Sequence, residues 1–93
     1  MADLDQKRRT VRVLELLSES FEAHMRGDDE AFRRALEEAM DLDSFAFDGI
    51  HAGIIIGEIP NPERDWPMWV EYVQVNKDGL AAMEAEGRDD DDG

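Results

Sequence analysis

Residues 44–59, SFAFDGIHAGIIIGEI, decide the fold class of this chain. Phe45 and Phe47 alternate with smaller residues, and Asp48–Gly49 is a dipeptide strongly favoured in two-residue hairpin turns. The run Ile50–Ile59 that follows is rich in β-branched residues, which are enriched in strands. This stretch therefore favours two antiparallel strands joined by a tight turn.

A third strand is predicted further along the chain. Residues 69–75 (WVEYVQV) have high strand propensity, and residues 76–79 (NKDG) are typical of a turn. A short helix over residues 80–86 would follow, ended by Gly87 because glycine readily adopts the left-handed conformation. The second half is thus predicted to form a short antiparallel meander with a C-terminal helix.

The same residues allow an all-helical alternative. Gly49, Gly53 and Gly57 lie four apart, so on a helix they would form a small-residue stripe that lets two helices approach closely. The apolar residues of 66–73 also fit a helical period. Against this alternative, each glycine inside a helix costs about 1 kcal/mol relative to alanine. We therefore favour an α+β fold, with an all-α four-helix bundle as the alternative.

The first half of the chain has a clearer pattern. Apolar residues recur at spacings of three and four over residues 4–25 and again over residues 31–40, which predicts two amphipathic helices. Gly27 suits the residue after the first helix, and Asp28 suits the N-cap of the second. Because the connection is so short, the two helices should form an antiparallel hairpin. We expect this hairpin to pack on the meander as one small domain over residues 1–87.

The chain is strongly acidic. Its 93 residues carry 24 acidic and 10 basic side chains, a formal net charge of −14. Such a surface repels phosphate backbones and anionic membranes and attracts basic surfaces, so direct nucleic-acid binding and membrane association are disfavoured. Residues 88–93 (RDDDDG) are predicted to form a disordered acidic tail, because neighbouring like charges repel each other.

The composition also favours a cytoplasmic protein. The sequence contains no cysteine, and its N-terminal residues lack the apolar core of a signal peptide. The longest wholly apolar stretch, residues 52–57, is far shorter than a membrane-spanning helix.

No catalytic, cofactor or metal signature is present in the sequence. A calcium loop starting at Asp41 would need a ligand at its fifth position, glycine at its sixth and glutamate at its twelfth. These positions hold Phe45, Ala46 and Ala52, so the pattern fails. The two histidines, His24 and His51, lack the paired ligand spacing of a zinc site. Phosphate-binding and dinucleotide motifs are absent, as is the Gly-x-Ser-x-Gly motif of hydrolases. We expect a protein that is not an enzyme and that needs no cofactor.

Aromatic residues are concentrated in residues 66–72, WPMWVEY. Tryptophan, tyrosine and methionine are enriched at the centres of protein interfaces, so this segment is the candidate contact surface. On a strand, Met68 and Trp69 would point to opposite faces, and a small domain can hardly cover both. We expect part of this segment to form an interface, including one between two copies of the chain. The predicted contact residues are Trp66, Met68, Trp69 and Tyr72.

A second candidate surface consists of carboxylates in the second predicted helix and its ends. These residues are Asp28, Asp29, Glu30, Glu37, Glu38, Asp41 and Asp43. Together the two surfaces predict a non-enzymatic acidic protein-binding module, such as an inhibitor, adaptor or nucleic-acid mimic, recruited to a basic surface of a partner. The alternatives are a structural or homodimeric protein whose acidity reflects a halophilic or high-GC source, and a small enzyme.

Overall fold

The computed structural model describes the backbone of residues 2–92 and the side chains of residues 4–86. It contains four helices: α1 (Ala2–Arg26), α2 (Asp29–Leu42), α3 (Ser44–Ile56) and α4 (Trp66–Asp92). Over this part of the chain, 86% of the structure is helical and no strand is present, so the fold is an all-helical bundle. The α+β prediction is wrong, and the four-helix alternative describes the chain.

Residues 44–56 of the predicted hairpin form helix α3, and both ends of this helix are capped. The Asp43 carboxylate accepts a hydrogen bond from the backbone N–H of Ala46 at 3.0 Å, as an N-cap does. Gly57 ends the helix in the left-handed conformation, with φ of 86°. Among the described residues, only Gly27 and Gly57 have positive φ, so Asp48–Gly49 does not form the predicted turn.

The predicted third strand and its following turn both lie inside α4. Polar side chains in and beside the predicted turn form hydrogen bonds to other residues of the helix. The Asn76 amide donates to the carbonyl of Tyr72 at 2.9 Å, and the Gln74 amide donates to the Asp78 carboxylate at 2.9 Å. The predicted disordered tail over 88–93 falls among residues whose side chains lie outside the described part, so it stays a prediction.

The first half agrees with the helical-hairpin prediction. Gly27 has φ of 82°, and the Asp28 carboxylate caps α2 by accepting from the backbone N–H of Ala31 at 3.1 Å. Phe21 and Phe32 meet edge to face across the hairpin, with ring centroids 6.3 Å apart. Local signals and tertiary contacts therefore favour the same structure here.

The hydrophobic core is organised around α1, which contacts each of the other three helices. Trp69 of α4 is fully buried against it, and the indole N–H donates to the Ser18 hydroxyl at 2.8 Å. Ser18 in turn donates to the carbonyl of Leu14 at 3.1 Å, so the polar atom of this buried tryptophan is satisfied. The buried apolar residues are Val11, Val13, Leu14, Leu16, Leu17, Ala23, Ala35, Ala39, Ala46, Ile50, Trp69 and Val73.

The three glycines of the predicted stripe have three different roles. Gly53 is buried, and a Cβ atom there would lie 2.6 Å from Cδ1 of Ile59, so any larger residue would force the Ile59 side chain to shift. Gly57 is the C-cap of α3. A Cβ atom at Gly49 would have no neighbour within 4 Å. The stripe therefore does not bring two helices of this chain together.

Among the described residues, no helix has both the length and the mean hydropathy that crossing a bilayer requires.

Candidate functional site

A groove of about 280 Å³ lies between α1 and α4, and we call it the α1–α4 groove. Its α1 side is polar and mostly acidic, whereas its α4 side is mainly apolar. The α1 residues are Arg12, Glu15, Ser18, Glu19 and Glu22, and the α4 residues are Trp66, Val70, Val73, Gln74 and Lys77.

The acidic side of the α1–α4 groove is a row of three glutamates. Glu15, Glu19 and Glu22 are spaced four and three residues apart, which places them on one face of α1. Glu15 already has cationic neighbours, since its carboxylate lies 3.6 Å from both Arg12 and Lys77. Within the described side chains, Glu19 and Glu22 have no ion-pair partner. These two carboxylates are therefore available to an external cation.

The opposite side presents an aromatic ring and an aliphatic surface to these carboxylates. Trp66 is half-buried at the start of α4, and Val70 one turn later is 47% exposed. The start of α4 is fixed because the backbone N–H of Trp69 donates to the carbonyl of Asp65 at 2.9 Å. An apolar wall facing carboxylates suits a side chain that has a methylene stem and a cationic head, as lysine and arginine do.

The predicted aromatic surface is divided among separate environments. Trp66 lines the α1–α4 groove, while Tyr72 is half-buried against the core. Trp69 is fully buried, so it is a core residue and does not belong to a surface. Met68 is 58% exposed and lines a different groove, beside the C-terminal end of α3. This division follows from the helical backbone, which turns successive side chains by about 100°.

Two of the predicted acidic contact residues have structural roles. Asp28 caps α2, and Asp43 caps α3 while its carboxylate also lies 3.2 Å from Nε of Arg9. The hydrogen bond from Ala46, together with those from Gln6 and Arg9, holds the pKa of the Asp43 carboxyl below its usual value. Asp43 therefore links α1 to the start of α3 and is not free to bind a partner.

The other five predicted acids lie exposed on α2, but arginines share their surface. These acids are Asp29, Glu30, Glu37, Glu38 and Asp41. Arg33 and Arg34 are exposed on the same helix, and Arg34 lies 3.4 Å from Glu30. Five carboxylates and two guanidinium groups leave a net charge of −3 on this surface.

This charge density is too low for nucleic-acid mimicry by α2 alone. The 14 residues of α2 extend over about 21 Å. A DNA duplex of that length carries about 12 phosphate charges, roughly four times the net charge of the α2 surface. The acidic surface of α2 therefore contributes to the general field of the protein more than to a defined site.

Both histidines lie against aromatic rings. The rings of His24 and Phe32 have centroids 5.2 Å apart, and those of His51 and Phe47 are 6.3 Å apart. Among the described side chains, no three potential metal ligands are close enough together to hold an ion.

Glu19 and Glu22 are not among the contact residues predicted from the sequence. Their spacing in α1 is visible in the sequence, but their significance depends on α4 packing beside them. Comparisons of this chain with protein-family models, curated proteins and solved structures find no match. The function is therefore inferred from the residues described above.

Proposed function

We propose that this protein is a non-enzymatic, cytoplasmic acidic protein-binding module that takes a lysine or arginine side chain of a basic partner into the α1–α4 groove. One observation carries the proposal. Glu19 and Glu22, which have no ion-pair partner among the described side chains, face the half-buried ring of Trp66 across an open groove.

The two sides of the groove would bind different parts of one side chain. Carboxylates of Glu19 and Glu22 would accept charge-assisted hydrogen bonds from the cationic head, which are stronger than neutral ones. The methylene stem would lie on Trp66 and Val70, and the ring face adds a cation–π attraction. The volume of about 280 Å³ is sufficient for one such side chain.

The net charge of −14 would act at longer range. A field of this sign raises the association rate with a basic protein surface, and it falls off within about 8 Å at physiological salt. Recruitment by charge and recognition in the groove are therefore two separable parts of the proposal. It does not include nucleic-acid mimicry, because the α2 surface has only about a quarter of the charge density of a duplex.

The first experiment uses a blocked hexa-arginine peptide as the probe, with amide and indole resonances of the protein followed by NMR. At low salt, we expect shift changes to concentrate along residues 12–22 of α1 and at the Trp66 indole. Raising the salt to about 0.5 M should weaken binding, because exposed charges are then largely screened. A blocked hexa-glutamate peptide is the control probe and should produce no change.

A matched pair of variants separates the groove from the general charge. The double substitution Glu19→Gln, Glu22→Gln removes two charges from the groove, and Glu37→Gln, Glu38→Gln removes two from α2. The groove variant should lose about tenfold in affinity, which corresponds to about 1.4 kcal/mol, whereas the α2 variant should lose much less. Equal losses in both variants, or shift changes spread evenly over the acidic surface, would contradict binding in the groove.

A further inference from the structure

The exposed face of α3 is apolar in a chain that is otherwise highly charged. Aspartate, glutamate, lysine and arginine make up 37% of the sequence, yet Asp48 is the only residue of these four types in α3 (Ser44–Ile56), which also contains His51. On this face Phe45 is 85% exposed, Ile55 is 69% exposed and Ile56 is 67% exposed. Three large apolar side chains this exposed on one short helix are typical of an interaction surface.

Four residues form a straight line along this face, and we call them the α3 stripe: Phe45, Gly49, Ala52 and Ile56. Their spacings of four, three and four residues place them above one another on a helix. The stripe has large residues at its ends and small residues in its middle. Because a Cβ atom at Gly49 would have no neighbour within 4 Å, the middle of the stripe is an open furrow.

The order of residues in the α3 stripe is the same in both directions. The stripe has one large residue, two small residues and one large residue, and this order is unchanged when the helix is reversed. A two-fold axis midway between Gly49 and Ala52 would therefore place Phe45 opposite Ile56 of a second copy, and Gly49 opposite Ala52 of that copy. This self-complementarity is what an isologous interface between identical chains requires.

A groove at the far end of α3 provides a place for the exposed phenyl ring. It has a volume of about 420 Å³, and its lining includes Ile55, Ile56, Pro60 and Met68. Phe45 and Ile56 are separated by about 16 Å along the helix. In the two-fold arrangement, Phe45 of each copy would reach the groove of the other, where the Met68 sulfur would offer a favourable contact with an aromatic ring.

We propose that the α3 stripe and this groove form the interface of a homodimer, in which two α3 helices pack antiparallel. Taking roughly 200 Å² for each large side chain, the exposed parts of Phe45, Ile55, Ile56 and Met68 amount to roughly 550 Å² per copy. Two copies would bury roughly 1,100 Å², which exceeds the minimum of about 1,000 Å² for a specific interface and falls in the range of weak ones. This surface is distinct from the α1–α4 groove.

Salt should strengthen this dimer. Each copy has a net charge of −14, so two copies repel each other, and the repulsion is screened as the ionic strength rises. The α3 stripe itself contains no charged residue, so screening should weaken none of its contacts. A basic partner in the α1–α4 groove should show the opposite dependence on salt.

Sedimentation velocity of the full chain tests the proposal directly. Between about 10 µM and about 1 mM protein, the average mass should rise towards twice the mass of one chain. Charges are screened over about 4 Å in about 0.5 M salt and over about 14 Å in about 0.05 M salt. The rise in mass should therefore occur at a lower protein concentration in the higher salt. Phe45→Glu should remain a monomer throughout. The control is Val75→Glu, which places the same charge at another exposed apolar residue, 62% exposed on α4, and should associate like the wild type.

A cross-linking experiment tests the register. The chain has no cysteine, so Ala52→Cys introduces a single thiol about 2 Å from the two-fold axis along the helix. Mild oxidation should join two copies through this residue, whereas Ala81→Cys, exposed on α4, should not cross-link. A wild type that remains monomeric in both salts, a Phe45→Glu variant that still dimerises, or equal cross-linking at both positions would overturn the proposal.

Discussion

Replacing glycine with alanine should stabilise the protein at one position of α3 and destabilise it at another. Gly49→Ala adds a methyl group that meets nothing within 4 Å, so the variant should be more stable by about 1 kcal/mol, the difference in helix propensity between the residues. Gly53→Ala gains the same propensity but places a Cβ atom 2.6 Å from Cδ1 and 2.9 Å from Cγ1 of Ile59. Overpacking of this kind costs about 1–3 kcal/mol, so the variant should lose up to about 2 kcal/mol.

Urea unfolding followed by circular dichroism measures both changes. With a denaturant slope of about 1–3 kcal/mol per molar, Gly49→Ala should raise the midpoint by about 0.3–1 M, and Gly53→Ala should lower it. The measurement is made at low protein concentration and low salt, so that association through α3 does not contribute. Ile59→Val removes Cδ1, so it should cost less stability in the Gly53→Ala variant than in the wild type.

The direction of the stability change in Gly49→Ala also distinguishes the two fold classes considered for this chain. In the hairpin turn that the sequence favoured, Gly49 would need positive φ, and alanine there would be destabilising. A lower midpoint for Gly49→Ala would therefore refute a helical α3. Equal stabilisation by both substitutions would refute the packing of Ile59 over Gly53.

Two further predictions concern the polar contacts of α1. Ser18→Ala removes the hydrogen-bond acceptor of the buried Trp69 indole and should cost about 1–2 kcal/mol in thermal or urea unfolding. In Trp69→Phe the same change should cost much less, and equal costs would mean that the hydrogen bond contributes nothing. Asp43→Ala should be less stable than the wild type at neutral pH. Because the folded-state pKa of Asp43 is lowered, this difference should shrink as pH falls below the ordinary value of 3.8, and a constant difference would contradict a role for the charge.

The hairpin of α1 and α2 could be predicted because its local signals agree with one another. Glycine at the C-terminal end of a helix, aspartate at the next N-cap and an unbroken apolar period all indicate the same structure at Gly27–Asp28. These signals act through residues that are close in sequence, so the hairpin could be predicted without knowing the tertiary contacts.

The second half was mispredicted because β-propensity was given more weight than capping. The isoleucines of α3 are compatible with either a strand or a buried helix, and short apolar runs do not distinguish the two. The decisive residues were Asp43 and Gly57, which cap the two ends of α3. Each was read differently from the sequence, Asp43 as part of an acidic surface and Gly57 as part of a small-residue stripe. Tertiary packing of α3 on α1 then offset the cost of two interior glycines.

The candidate site could be predicted only in part. Trp66 was a predicted contact residue and lies in the α1–α4 groove, but Trp69, three residues later, is a core residue. Distinguishing the two requires knowing which face of α4 meets α1. The same is true of Glu19 and Glu22, which belong to the candidate site only because the groove they line also contains Trp66.

The two proposed surfaces are linked through the net charge. A bound hexa-arginine peptide would change the charge of each copy from −14 to about −8, and the repulsion between two copies would fall to about one third, because it scales with the product of their charges. Peptide binding in the α1–α4 groove should therefore promote dimerisation through α3 at low salt, and dimerisation should strengthen peptide binding by the same factor. Phe45→Glu separates the two events, since it should bind the peptide as a monomer. The linkage should vanish at high salt, where screening removes the repulsion that the peptide relieves.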